Sequence, residues 1–214
     1  MVQLPNGAKV AFSSVFGAVK ELTAISNANP AVASSVGHGF ADGKILLLES
    51  GWEELEGRAV RVDGSVADAF NLEGIDTSDL IRFPVALGIG NAKEVTTWVA
   101  IDQIIGTAFS GGEQQYWGYS PLDSRRTKQL PTERNAQTAT FTLADDDSKP
   151  WFAALDQADR LGDTRIVRIT LPKGQILLYA GTVSFNKVPT LTKNEGMAVT
   201  MTLSINADIT RYTA

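Results

Sequence analysis

Near the end of the chain, Met197, Val199, Met201, Leu203 and Ile205 alternate with Ala198, Thr200, Thr202, Ser204 and Asn206. Successive side chains of a strand point to opposite faces, so this run predicts a strand with one apolar face and one of small, mostly polar groups. The same period recurs over residues 138–143, with Ala139, Phe141 and Leu143 inward and Thr138, Thr140 and Thr142 outward. Residues 165–171 and 175–185 flank Pro172-Lys173-Gly174 and predict a hairpin with a short glycine-containing loop. Turn signals (PNG, ADG, VDG, SGG, PKG) separate other short apolar runs. The pattern is that of a mainly β protein, and its hydroxyl-covered faces imply a sheet that meets water or a neighbour there.

One segment breaks the period of two. Over residues 149–161, Trp151, Leu155 and Ala158 recur at helical spacing with Phe152 beside them, predicting a helix whose apolar stripe lies on the sheet. Ser148 is placed to cap it, Pro150 is tolerated in its first turn, and Gly162 can end it. Asp145, Asp146 and Asp147 precede it, where negative charge favours the positive end of the helix dipole.

Residues 111–137 follow neither period through their second half. They hold the pair Gly111 and Gly112, two prolines, Arg125, Arg126 and Arg134, and an aromatic knot of Tyr116, Trp117 and Tyr119. A loop of roughly 20 residues is unusual in a compact domain, and such loops are more often functional or disordered. Residues 1–12 also read as unanchored.

Hydrophobic residues make up 43% of the 214, enough for a folded core without a covalent staple. There are no cysteines, which removes disulfides, thiolate metal sites and cysteine nucleophiles together. The apolar run at 44–48 is far too short to span a bilayer, and the N-terminus lacks a signal-peptide pattern, so a soluble intracellular protein is expected. The net charge of −5 is unevenly placed: residues 29–86 carry 10 acidic and 4 basic side chains, and the remainder is close to neutral. A general basic footprint for nucleic acid is therefore absent.

Candidate chemistry is thin. His38 is the only histidine, and it reads as a turn-filling side chain without a catalytic partner. Asp42 and Asp63 each precede glycine, as turn residues do. Asp145, Asp146 and Asp147 lack the spacing of a calcium loop, and they read as a solvated helix start. Gly88-Ile89-Gly90 lacks the third glycine of a dinucleotide site. Arg125, Arg126 and Lys128 read as a protein contact in preference to a nucleic-acid one, because acidic residues interleave them. No hydrolase, phosphate-loop or zinc-protease motif occurs. No enzyme activity, cofactor or metal is expected.

A family resemblance rests on Gly162-Asp163-Thr164-Arg165, Ile169, Pro172, Gly174, Gly181, Val183 and Ser184, lying after a helix and before a long alternating strand. Residues 138–212 resemble in this way the lambda-like tail tube proteins of siphophages. Residues 96–118 look like the earlier strand leading into that family's long loop. Within residues 29–86, His38-Gly39-Phe40, Asp42-Gly43 and Leu55-Glu56-Gly57-Arg58 resemble a small β-barrel repeat of phage tail proteins, also seen in ubiquitin-activating enzymes. The expected fold is a tail-tube β-barrel or sandwich with one flanking α-helix and an inserted small β-barrel lobe. Residues 1–28 and 87–214 would form the tube core, and 29–86 the insert.

The resemblance implies a structural virion protein, assembled in the host cytoplasm, whose hexameric rings stack into a tail tube for phage DNA delivery. Thr200, Thr202, Ser204 and Asn206 are the candidate lumen-facing residues. Tyr116, Trp117, Tyr119, Arg125, Arg126 and Arg134 are the candidate inter-ring contacts. Expected partners are further copies of the chain, a tape measure protein and tail tip or terminator proteins. DNA would pass without sequence-specific binding, and no membrane insertion is expected. The alternatives are another ring-forming tail component, such as a distal tail protein or tail terminator, and a β-rich glycan hydrolase, which would need two carboxylates in a cleft.

Overall fold

A computed structural model describes residues 6–213. The first half of the chain supplies β1 (Lys9–Phe16), β2 (Lys20–Leu22), β3 (Ala24–Ile25), β4 (Ala31–Ser34), β5 (Ile45–Ser50), β6 (Ala59–Val66), β7 (Ala69–Leu72) and β8 (Gly90–Ile101). The second half supplies β9 (Ile104–Ser110), β10 (Gln114–Tyr119), β11 (Lys128–Arg134), β12 (Gln137–Ala144), α1 (Pro150–Leu161), β13 (Thr164–Thr170), β14 (Ile176–Asn186), β15 (Ala198–Ile205) and β16 (Thr210–Tyr212). Fourteen strands form one antiparallel sheet in the order β3-β4-β7-β6-β5-β8-β1-β13-β14-β15-β12-β9, with β2 beside β8 and β16 beside β14. The protein is mainly β, with a single flanking α-helix among the described residues.

Three buried clusters explain why this sheet curls. The first lies between β1, β12, β13, β14 and β15 and the apolar stripe of α1. Phe12, Phe141, Leu143, Trp151, Leu155, Val199, Met201 and Leu203 are all almost fully buried in it. The second belongs to the lobe built from β2 to β7, around Leu46, Leu48, Trp52, Leu55, Phe70 and Leu72. The third joins the two, where Ile45, Leu47 and Ala59 of the lobe pack on Ile166, Leu178 and Ala180 of the core. Strand β8 serves both bodies: its first residues pair with β2 and β5, and its last with β1. The lobe core draws on Leu22, Ile25 and Ala92 as well as on residues within 29–86.

The alternating segments fold as their period dictates. β12 and β15 pair over their whole lengths, and β13 and β14 form the hairpin around Pro172-Lys173-Gly174. Met197 departs from the pattern. It precedes β15 and is half exposed, because the ladder with β12 ends at Ala198. Helix α1 buries Trp151, Leu155 and Ala158, and Gly162 closes it in the left-handed region (φ 64°), its N–H bonding to the Ala158 carbonyl. Ser148 does not cap it. Lys149 holds the N-cap position without a side-chain cap bond, and the Ser148 hydroxyl donates to Asp146 instead. Ser148 lies one residue before the N-cap, outside the position from which a hydroxyl oxygen accepts the first free N–H groups of a helix.

Two expectations are corrected. Residues 1–12 read as unanchored, yet β1 lies in the sheet between β8 and β13, burying Val10 and Phe12; residues 1–5 fall outside the described residues. Both partners of β1 come from far along the chain, so no local signal marks it. Residues 111–137 read as an irregular loop, yet β10 and β11 pair there as a separate two-stranded ribbon.

Candidate functional site

The polar side of β15 is one row of a wider surface. Thr200, Thr202 and Ser204 stand opposite Thr142, Thr140 and Thr138 of β12, and opposite Asn186, Ser184 and Thr182 of β14. Across β12 the rows continue to Gly106, Ala108 and Ser110 of β9. Directly paired residues share a face, so hydroxyls, one amide, alanine and glycine tile this side of four neighbouring strands. No charged residue occupies any of these register positions. Ser110 and Thr138 hydroxyls hydrogen-bond at 2.7 Å, and Asn206, just past β15, donates its side-chain amide to Thr182 at 3.3 Å. The sequence pointed to Thr200, Thr202, Ser204 and Asn206 alone. The outward Thr, Ser and Asn of β12 and β14 show the same alternation, and register makes them one surface.

Among the described residues this surface ends at an open edge: there β9 pairs with β12 only, and its seven residues include neither a charge nor a proline. Such an edge presents unpaired backbone groups without the usual guards against strand addition. Beside it Ile105 and Phe109 are exposed, with Phe109 tilted over Tyr179 at 5.7 Å.

The arm of β10 and β11 leaves from the same edge. Gly111 and Gly112 both adopt left-handed backbone (φ 85° and 82°), and a Cβ at Gly111 would sit 1.9 Å from the Ala136 carbonyl oxygen. Only glycine fits that bend. Trp117 stands opposite Leu130 and Tyr119 opposite Lys128, so the two rings share a face and stack at 5.3 Å. Tyr116, opposite Pro131, lies on the other face. Tyr116 and Trp117 are more than half exposed, Leu122 is fully exposed, and every residue of β11 is exposed. Arg125 and Arg126 sit in the turn at the tip, whereas Arg134 lies at the base, beside Asn135 and Asp208. The arginines therefore do not converge. Among the described residues Arg125, Arg126, Lys128 and Arg134 make no ion pair within the chain.

The remaining candidates have structural surroundings. His38 is buried between Phe40 and Phe70, with one ring nitrogen 2.8 Å from the Val66 carbonyl and the other accepting the Phe40 N–H. Asp42 accepts the Ser65 N–H at 2.7 Å, and Asp63 stands at a bulge of β6. Gly88-Ile89-Gly90 opens β8 and is not a strand-to-helix turn. Asp146 is held below the usual carboxylate range by the Ser148 hydroxyl, and Asp102 by Lys149. Among the described residues, no three or more His, Asp or Glu side chains are grouped to hold a metal ion, and no helix is long and apolar enough to cross a membrane.

A family model described as phage tail tube protein matches residues 50–214, more than half of the chain. The chain belongs to the phage tail tube protein family. The match takes in β6, β7 and β8 as well as the whole C-terminal core, and so begins inside the segment read from sequence as an insert. Membership makes the protein a structural component of a phage tail, one that assembles with itself and with other tail components. No curated protein matches the chain.

Proposed function

We propose that copies of this tail tube protein close into hexameric rings in the host cytoplasm, and that the rings stack head to tail around a DNA channel of a siphophage tail. The observation that carries this reading is the uncharged hydroxyl face ending at an unguarded edge. Heterologous contacts repeated around an axis generate a closed ring, and the β9 edge is available for such a contact. A wall of Thr200, Thr202, Ser204, Asn206 and their neighbours on β12 and β14 offers phosphates no cation to exchange for counterions, so DNA gains no electrostatic hold and can slide. The arm then projects from one end of each ring, with Tyr116, Trp117, Tyr119, Arg125, Arg126 and Arg134 as its contact residues. A tape measure protein would occupy the channel before DNA, and tip and terminator proteins would cap the two ends.

Electron microscopy and sedimentation of the purified protein test this reading. Rings or tubes are expected at high concentration or on addition of a tail initiator complex. Persistence as a monomer under both conditions would overturn it.

A further inference from the structure

The arm and one loop cluster lie at opposite ends of the same strands. The arm joins β9 at Ser110 and β12 at Gln137. Strand β12 ends at Ala144 and runs into Asp145, Asp146 and Asp147, where the Asp145 N–H bonds to the Met197 carbonyl. The loop between β14 and β15 reaches the same end, tied by the Thr190 N–H to the Ala198 carbonyl at 2.9 Å. That loop exposes Val188, Leu191 and Met197, the first two for most of their surface. Asp145 and Asp147 make no ion pair among the described residues. Among the described residues, the end opposite the arm thus carries exposed apolar side chains beside the unpaired carboxylates of Asp145, Asp147 and Glu195, with one unpaired cation, Lys193, in the same loop. The arm tip carries Leu122 beside Arg125, Arg126 and Lys128, with one carboxylate, Asp123, so the two ends keep opposite net signs.

We propose that the arm tip of one copy docks on this surface of a copy in the next ring, Leu122 against Leu191 and Met197, and Arg125 and Arg126 against Asp145 and Asp147. The inference rests on the head-to-tail tube reading above and names the surface that receives the arm. If β12 runs along the tube axis, head-to-tail stacking brings its opposite ends together, and these two ends complement each other in net charge and in apolarity. An isolated two-stranded ribbon is at best marginally stable in water, and an apolar patch rimmed by charge is the usual character of a protein contact. Arginine in place of lysine at the tip suits planar, bidentate pairing with carboxylates. Glu53 and Asp208 form a rival acidic surface, but they lie beside Arg134 at the arm's own base, on the wrong end for a stacked copy.

A charge swap tests the docking. Asp145→Lys with Asp147→Lys, and separately Arg125→Glu with Arg126→Glu, should each slow tube elongation at least about tenfold while melting as the wild type does. The combined four-residue variant should recover elongation. Asp145→Asn with Asp147→Asn should give a smaller loss that shrinks further at high salt. If the acidic-end variants elongate normally while the arm variant stalls, the arm docks elsewhere and the proposal falls, with the tube reading intact. Failure of the folded four-residue variant to recover would overturn it equally. Absence of tubes from the wild type would overturn the tube reading itself.

Discussion

The Tyr212 hydroxyl accepts the backbone N–H of Arg61 at 2.7 Å, joining residues 151 positions apart. The Arg61 guanidinium lies over the same ring, 4.4 Å from its centre, and pairs with Glu73. Two residues earlier the Thr210 hydroxyl donates to the Ala59 carbonyl at 2.8 Å. Strand β16, itself paired to β14, thereby fastens the lobe to the tube core across the third buried cluster.

This clasp should be visible in alkali. Burial pushes the Tyr212 phenol up to about 12, whereas an unfolded tyrosine ionises near 10. The folded pKa is the higher one, so the stabilisation is fully present below about pH 10 and lost as the pH rises towards 12. At about 1.4 kcal/mol per unit, the loss is on the order of 2–3 kcal/mol. Tyr212→Phe should cost about 1 kcal/mol at neutral pH and flatten much of the alkaline slope in urea melts. Tyr179, also raised by burial, leaves a residual slope. An unchanged alkaline profile in the variant would refute the assignment.

Replacing Trp117 and Arg126 with alanine should leave the monomer's melting temperature nearly unchanged, since both side chains are exposed. Surface changes of this kind usually stay within about 0.5 kcal/mol, whereas an interface aromatic or arginine can cost about 2 kcal/mol or more. Elongation should therefore stop while folding persists. Hydrogen exchange should find the β10–β11 ladder of 112–135 only weakly protected in the monomer, as befits a marginal two-stranded ribbon, and strongly protected in tubes. Protection in the monomer equal to that of β12 and β15 would make the arm core structure.

Deleting residues 29–86 tests the division into core and lobe. The cut bares Ile166, Leu178 and Ala180 and leaves Leu22, Ile25 and Ala92 without a cluster. The plain deletion is expected to aggregate, and a version with Ile166 and Leu178 made polar to stay soluble. A cooperative calorimetric melt from the plain deletion would show that the core stands alone.

Arg168 offers a test of stability that needs only the monomer. Its guanidinium lies 4.3 Å from the centre of the Trp98 ring, its Nε is buried without a hydrogen-bond partner, and burial lowers its pKa. Arg168→Met keeps the packed stem and removes a desolvated charge that pairs with no carboxylate among the described residues. The expected change is neutral or stabilising. A loss above about 2 kcal/mol in denaturant melts would show that the charge contributes through a partner.

The periods of the chain determined its local elements. Strict alternation set the two faces of β12 and β15, Pro172-Lys173-Gly174 set the β13–β14 hairpin, and the spacing of Trp151, Leu155 and Ala158 set the one helix. The hydroxyls of Thr200, Thr202 and Ser204 were legible for the same reason, because a period of two places every second residue on one side. Tertiary structure decided what those elements meet. β1 and the first half of β8 carry no distinctive period, and their places came from partners many residues away. The paired arm was hidden because its residues are exposed on both faces, so no apolar alternation marked β11. Register joined threonines from distant segments into one uncharged wall. Tyr212 found Arg61 only because the sheet curls the C-terminus back over the lobe. Backbone dihedrals and side-chain direction are local and repeat with the chain, whereas strand neighbours are chosen by the burial of surfaces that sequence distance does not bring together.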